Sequence, residues 1–289
     1  MRIRAECIPC ILTVRMKEIL ESGLPEEEKM KAVIELLTTF VKHINPEIST
    51  IELASKSFSL IKRLLMNSDP YKEYKSNSNS VVESLTPIIL SRVENLSLHE
   101  RLKALFIISI NANILDPGAP PFTKNLEQLK LGLLDDKLTL DDTGRILSLI
   151  EKSRRILYIL DNAGEAVIDK LIINELVSTG KNVIVLAKGG AYQNDITYEE
   201  ALEMDFGEVA EVMSTGSDHA AVLLDRASSK VLEVIKSVDL IIAKGMANYE
   251  AFLYTPPPTP VAHLFIAKCK PVASTLNVPV GSKIALLRL

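Results

Sequence analysis

The stretch Ile156-Leu-Tyr-Ile-Leu160-Asp-Asn-Ala-Gly-Glu165 decides how this chain is read. Five apolar residues in a row suit a strand buried on both faces, and the polar turn after them leads at once into a helical pattern over 166–177. The same unit recurs downstream: aliphatic runs at 183–187, 209–213, 240–243, 261–266 and 284–287 are separated by helical stretches. Such alternation is what a parallel sheet with helices on both faces requires. Residues 151–289 are expected to form an α/β domain around a Rossmann-like, open, mostly parallel sheet. Thr255-Pro-Pro-Pro-Thr-Pro260 is expected as a rigid extended loop, because consecutive prolines fit neither helix nor central strand.

Upstream of residue 153 the apolar residues keep helical spacing, so residues 1–150 are expected as an all-α cap domain. Pro25 followed by Glu26, Glu27 and Glu28 opens one helix, since acids complement the dipole at that end; it should run to about Ile44. Ser49-Thr-Ile-Glu52 and Ser97-Leu-His-Glu100 both have the form of a capping box ahead of an apolar-periodic run. Pro87 falls inside the apolar pattern of 81–93 and should bend or restart that helix. The polar segment 72–80 suits an exposed connection.

The 289 residues carry 33 Lys and Arg against 37 Asp and Glu, a formal charge of −4, which gives no basic stripe for a nucleic acid. No uninterrupted apolar run approaches the roughly 18 residues of a membrane span, and the first residues lack the apolar core of a secretory signal. Three cysteines, an odd number, disfavour a disulfide scaffold, and a reducing cytoplasm is the expected location.

In an open parallel sheet ligands bind beyond the carboxyl ends of the strands. There the sequence offers Asp161, Asn162, Gly164 and Glu165 after the first run, Asn194 and Asp195 after the second, Asp218 after the third, and Lys244, Gly245 and Asn248 after the fourth. Asp161, Asn162 and Asp195 would supply oxygen ligands from one side to a hard or borderline divalent cation such as Mg²⁺ or Mn²⁺. Lys244 could neutralise a phosphoryl oxygen, and the amides of Gly164 and Gly245 could bind another at a helix start. Together these parts look like a phosphoryl-transfer site. The plainer alternative is that Asp161, Asn162 and Asp195 simply cap the helices that follow them. Neither a dinucleotide G-x-G-x-x-G nor a P-loop is present, and the four histidines lack metalloprotease spacing, with His219 alone in a strand-end loop.

With these loops the chain resembles the metal-dependent damage-control phosphatases, a family first catalogued as a domain of unknown function and including acidic-residue methyltransferase-like proteins. Asp161-Asn-Ala-Gly-Glu165, Asn194-Asp195, Thr215-Gly-Ser-Asp218 and Lys244-Gly-Met-Ala-Asn248-Tyr-Glu250 match its motifs in order. Asp69-Pro-Tyr-Lys-Glu-Tyr-Lys75 and Asn113-Ile-Leu-Asp116 resemble its signatures in the helical part. The resemblance implies that Asp161, Asn162 and Asp195 hold one metal, Mn, Co, Ni or Mg. It also implies that Asn113 and Asp116 close the cleft over a small phosphorylated metabolite, and that the reaction is hydrolysis of a phosphate monoester. The residues following Asp218 and preceding Asn113 depart from the family by lacking a glycine. Cys7-Ile-Pro-Cys10 and Ala267-Lys-Cys269 fit a largely microbial branch, in which Cys7, Cys10 and Cys269 could converge on a second, soft-metal or redox site; otherwise they are small buried hydrophobes. Two rival functions are an S-adenosylmethionine-dependent carboxyl methyltransferase on the same sheet and a non-enzymatic metal-binding module.

Overall fold

The run at 156–160 forms β2 (Arg155–Ile159), near the middle of a sheet in a computed structural model that describes residues 1–112 and 137–289. The other strands are β1 (Leu140–Asp141), β3 (Asn182–Ala187), β4 (Glu211–Ser214), β5 (Leu240–Lys244), β6 (Val261–Ala267) and β7 (Ser282–Arg288). They lie in the order β1-β7-β6-β5-β2-β3-β4, and every pairing is parallel except the antiparallel β6–β7. The α/β class and mostly parallel sheet expected from sequence are thus observed, with two additions. β1 is too short to carry a periodicity, and β7 returns antiparallel after only the short helix α11 (Lys270–Thr275).

One face of the sheet is covered by α4 (Lys72–Val93), α5 (Leu98–Ala112), α6 (Thr143–Lys152) and α7 (Glu165–Ser178). Alternate residues of the run, Ile156, Tyr158 and Leu160, pack into this layer, where Phe106 and Ile110 of α5 are fully buried. Each such side chain contributes about 1.5–3 kcal/mol by leaving water. The opposite face, through Leu157, Ile159, Ile241 and Ala243, packs on α9 (Ser229–Ser237) and α10 (Met246–Phe252). α1 (Cys7–Leu20), α2 (Glu26–His43) and α3 (Thr50–Leu64) instead share a core with Tyr192, Ala220 and Ala221, in the loops beyond the carboxyl ends of β3 and β4. The core of the sheet therefore recruits α4, α5 and α6 from the chain before residue 153. A short helix, α8 (Tyr198–Glu203), follows β3.

Local signals mostly act as read. α2 starts directly after Pro25; the Ser49 hydroxyl accepts the Glu52 amide, and Ser97 and Glu100 exchange both capping-box bonds. Two expectations are corrected. Segment 72–80 is no exposed connection: it is the start of α4, with Lys75 and Ser78 buried. Lys75 and Asn79 face other elements, which a hydrophobicity pattern does not register, while Lys72, Glu73, Ser76, Asn77 and Ser80 are exposed. Of the two outcomes expected at Pro87, a bend or a restart, the restart does not occur: one helix runs through the proline. No helix among the described residues is long and apolar enough to cross a membrane.

Candidate active site

β2 has β3 on one side and β5 on the other, so the chain changes direction across the sheet at β2 and opens a crevice between the carboxyl ends of β2 and β5. Asp161 follows β2 there, and Lys244-Gly245 closes β5. The loop after β3 folds back onto the first loop. The Ala163 amide donates to Asn194 O at 2.8 Å, the Ile196 amide to Asp161 O at 2.8 Å, and Asn162 and Asp195 form an isolated antiparallel bridge. Two segments more than thirty residues apart are thereby locked together, and Asp161, Asn162 and Asp195 line one cleft of about 190 Å³.

The capping alternative does not describe these residues. α8 is capped by Thr197 in a complete capping box with Glu200. At α7 the Asn162 amide is bonded by the Glu165 carboxylate at 3.1 Å, and the side chain of Asn162 instead donates Nδ2 to Asp161 Oδ2 at 2.7 Å. Asp161 and Asp195 are 7% and 5% exposed, a costly arrangement for two adjacent anions unless cations offset it. Lys188 Nζ lies 3.1 Å from Asp195 Oδ2 and donates to His219 O at 2.7 Å. Two carboxylates and an amide oxygen fit a hard divalent cation whose remaining positions are left to water or substrate. Among the described residues no group of three or more His, Cys, Asp or Glu is disposed to hold a metal, so the set depends on Asn162 as its third member.

Lys244 is fully buried beneath this cleft rather than among its lining residues, with Nζ 3.2 Å from Asp169 Oδ1 and 3.4 Å from Glu165 Oε1. Burial pulls the ammonium's pKa down, but Asp169, Glu165 and Asp161 together outweigh burial and hold it above the ordinary lysine value. The direct contact of Lys244 with a phosphoryl group expected from sequence draws no support from this arrangement, in which the ammonium is already paired with Asp169 and Glu165. The same holds for both glycine amides: the Gly164 N–H donates to Asn79 Oδ1 at 2.6 Å, and the Gly245 N–H donates to Leu264 O within the sheet. Asn248 is likewise committed, donating to Lys244 O at 2.9 Å and accepting the Val222 amide at 3.1 Å.

Asp218 stands apart from the cleft, on a separate surface depression with His219 and Arg226. Burial raises its pKa, but the Lys62 ammonium at 2.7 Å outweighs burial and keeps the carboxyl below the ordinary aspartate value. Asn113 and Asp116 lie outside the described residues. Cys7, Cys10 and Cys269 form no disulfide and line the same cleft as the acids. Burial raises the pKa of Cys7 and pushes that of Cys269 up to about 12, so both are neutral thiols at ordinary pH.

Sequence reading gave no role to three residues that the structure places at or beneath the cleft. Lys268, 4% exposed, is the cleft's one lining Lys or Arg among the described residues, and it follows β6 directly, where the strand-end rule points. Asp169, fully buried, accepts from Ser109 Oγ at 2.6 Å and Tyr158 OH at 2.7 Å; its signal was an acid on the apolar face of α7. Glu250, bonded by Thr50 Oγ1, lines the cleft, and burial raises its carboxyl above the ordinary glutamate value.

A family model described as the damage-control phosphatase ARMT1-like domain matches residues 3–284. The chain is 30% identical over 291 residues to an uncharacterized protein of Methanocaldococcus jannaschii, covering 99% of this chain and 96% of the relative. It is similar to proteins named damage-control phosphatase from Pyrococcus horikoshii, at 27% identity over 99% of this chain and 98% of the other. The Archaeoglobus fulgidus protein of that name is 28% identical, with 99% of each chain covered. Among solved structures, the crystal structure of a DUF89 family protein from P. horikoshii matches with a TM-score of 0.88 and 25% identity, over 99% of both chains.

Proposed function

Because the chain belongs to the damage-control phosphatase ARMT1-like family, we propose that it is a divalent-metal-dependent phosphatase that hydrolyses phosphate monoesters of small metabolites. The observation that carries the metal part of this reading is the meeting of Asp161, Asn162 and Asp195 on one cleft wall through loops hydrogen-bonded to each other. A cation such as Mn²⁺, Co²⁺, Ni²⁺ or Mg²⁺ bound there supplies Lewis-acid polarisation of a phosphoryl oxygen. The protein's own groups do the rest. Lys268 faces the phosphoryl anion, the charge that the chain's overall balance of −4 does not provide. Lys188 fixes the Asp195 carboxylate, while Lys244 and Glu165 brace the turn that carries Asp161. The nucleophile is a water molecule oriented by these acids or the Asp161 carboxylate itself. A single displacement by water inverts the configuration at phosphorus whereas two displacements through Asp161 retain it, so a substrate chiral at phosphorus separates them. Cysteines outside any disulfide fit the cytoplasmic location expected from sequence.

Release of phosphate from a generic aryl phosphate should require one of the four cations, stop in chelator, and vanish in Asp161→Ala. Activity that persists in chelator would overturn the reading. Among the described residues, Cys7, Cys10 and Cys269 line the same cleft without being disposed as a three-ligand group, and the phosphatase reading needs no second metal there.

A further inference from the structure

We infer that α4 braces the two ligand-bearing loops, with Lys75 and Asn79 as positioning residues for Asp161, Asn162 and Asp195. The two lie four residues apart, hence on one face of the helix, and each holds a different loop. Asn79 Oδ1 accepts the Gly164 amide at 2.6 Å. Gly164 is the N-cap of α7, has φ +80 and brings no capping side chain of its own, so Asn79 supplies from another helix the acceptor this helix start lacks. Gly164 is separated from Asn162 by a single residue, so this bond fixes the exit of the turn bearing Asp161 and Asn162.

Lys75 serves the other loop. Its ammonium, 1% exposed, lies 2.6 Å from Glu200 Oε1 and 2.7 Å from Asp69 Oδ2. Glu200 closes the capping box with Thr197, two residues after Asp195, so the charge of Lys75 holds the helix start that ends the second loop. A buried ammonium between two carboxylates is strongly fixed, because any displacement would leave charge unpaired away from water. One helix face thus sets the spacing between the two loops. Side chains that orient metal ligands commonly change metal affinity about 10–100-fold when removed.

This inference rests on the metal-phosphatase reading above, and the experiment separates the two. Mn²⁺ alone is titrated calorimetrically into wild-type protein, Asn79→Ala, Lys75→Met and Lys75→Arg, with the thermal unfolding midpoint of each recorded in chelator. In folded Asn79→Ala the Mn²⁺ dissociation constant should rise about tenfold or more. Lys75→Met should behave likewise, and Lys75→Arg should recover part of the affinity because it keeps the charge. If Lys75→Met does not fold, Asn79→Ala, which removes a single acceptor, decides. Wild-type affinity in folded Asn79→Ala, with only a lowered midpoint, would overturn the inference. A wild-type protein that binds no Mn²⁺ would overturn the site reading and this inference with it.

Discussion

The Asp161 carboxyl group rests against the bare α-carbon of Gly245: a Cβ built at Gly245 would overlap all three atoms of that carboxyl. The two residues end neighbouring strands, so their contact is where β2 and β5 meet at the crevice. Gly245 also has φ +78, a region that side-chain-bearing residues rarely adopt. Gly245→Ala should therefore push Asp161 off its position and lower kcat/KM about 100-fold, the scale of a 1 Å misplacement. The backbone strain should cost about 1–3 kcal/mol in urea unfolding, so the loss of activity would be seen in folded protein. Unchanged kinetics would show that Asp161 need not sit there.

Lys268 separates substrate binding from metal binding. Lys268→Met should lower kcat/KM for an aryl phosphate about 100-fold or more, the effect of removing one well-placed donor from a developing anion. Mn²⁺ affinity should stay within about twofold, because Lys268 follows β6 while the proposed ligands follow β2 and β3. A parallel loss of Mn²⁺ affinity would move Lys268 from phosphate recognition to metal-site architecture.

Asp169 tests the charge balance beneath the cleft. Asp169→Asn keeps the shape but leaves Lys244 with less counter-charge, and removing one partner of a buried pair costs about 3–5 kcal/mol. Since its carboxylate neighbours hold the Lys244 pKa above 10.5, its stabilising charge is complete below that pH and is lost only as pH rises through the raised value. Denaturant melts across alkaline pH should show the variant losing stability at lower pH than wild type. Identical profiles would contradict the assignment.

His263 predicts acid sensitivity. It is fully buried beside Tyr249 and Phe252, neither ring nitrogen has a hydrogen-bond partner among the described residues, and burial lowers its pKa from 6.5 to about 3. Between those values the unfolded chain binds a proton that the folded chain does not, so stability falls as pH falls, by up to about 5 kcal/mol over the window. His263→Leu should flatten that part of the stability profile while retaining the neutral-pH fold. A variant profile as steep as wild type would place the acid sensitivity in other groups.

The parallel strands were legible because burial on both faces leaves a run of apolar residues that nothing else explains, as at 156–160. Capping boxes were legible because Ser97 and Glu100 lie within one turn of each other. The antiparallel return of β7 was not, since an apolar run looks the same in either direction. Segment 72–80 was misread because Lys75 is buried by ion pairs, and a polar residue that finds partners looks, in sequence, like one that finds water.

By itself, then, the sequence determined the alternation of strands and helices, the candidate ligands Asp161, Asn162 and Asp195 at strand ends, and the resemblance that the family match sustains. Only the tertiary structure decided which of the strand-end groups face the cleft. Lys268 does; Lys244 lies beneath it, Asp218 turns away to Lys62, and the amides of Gly164 and Gly245 are already bonded. The physical reason is that periodicity reports local burial, whereas the use of a charge or amide depends on partners far along the chain, such as Asn79 for Gly164 and Asp169 for Lys244.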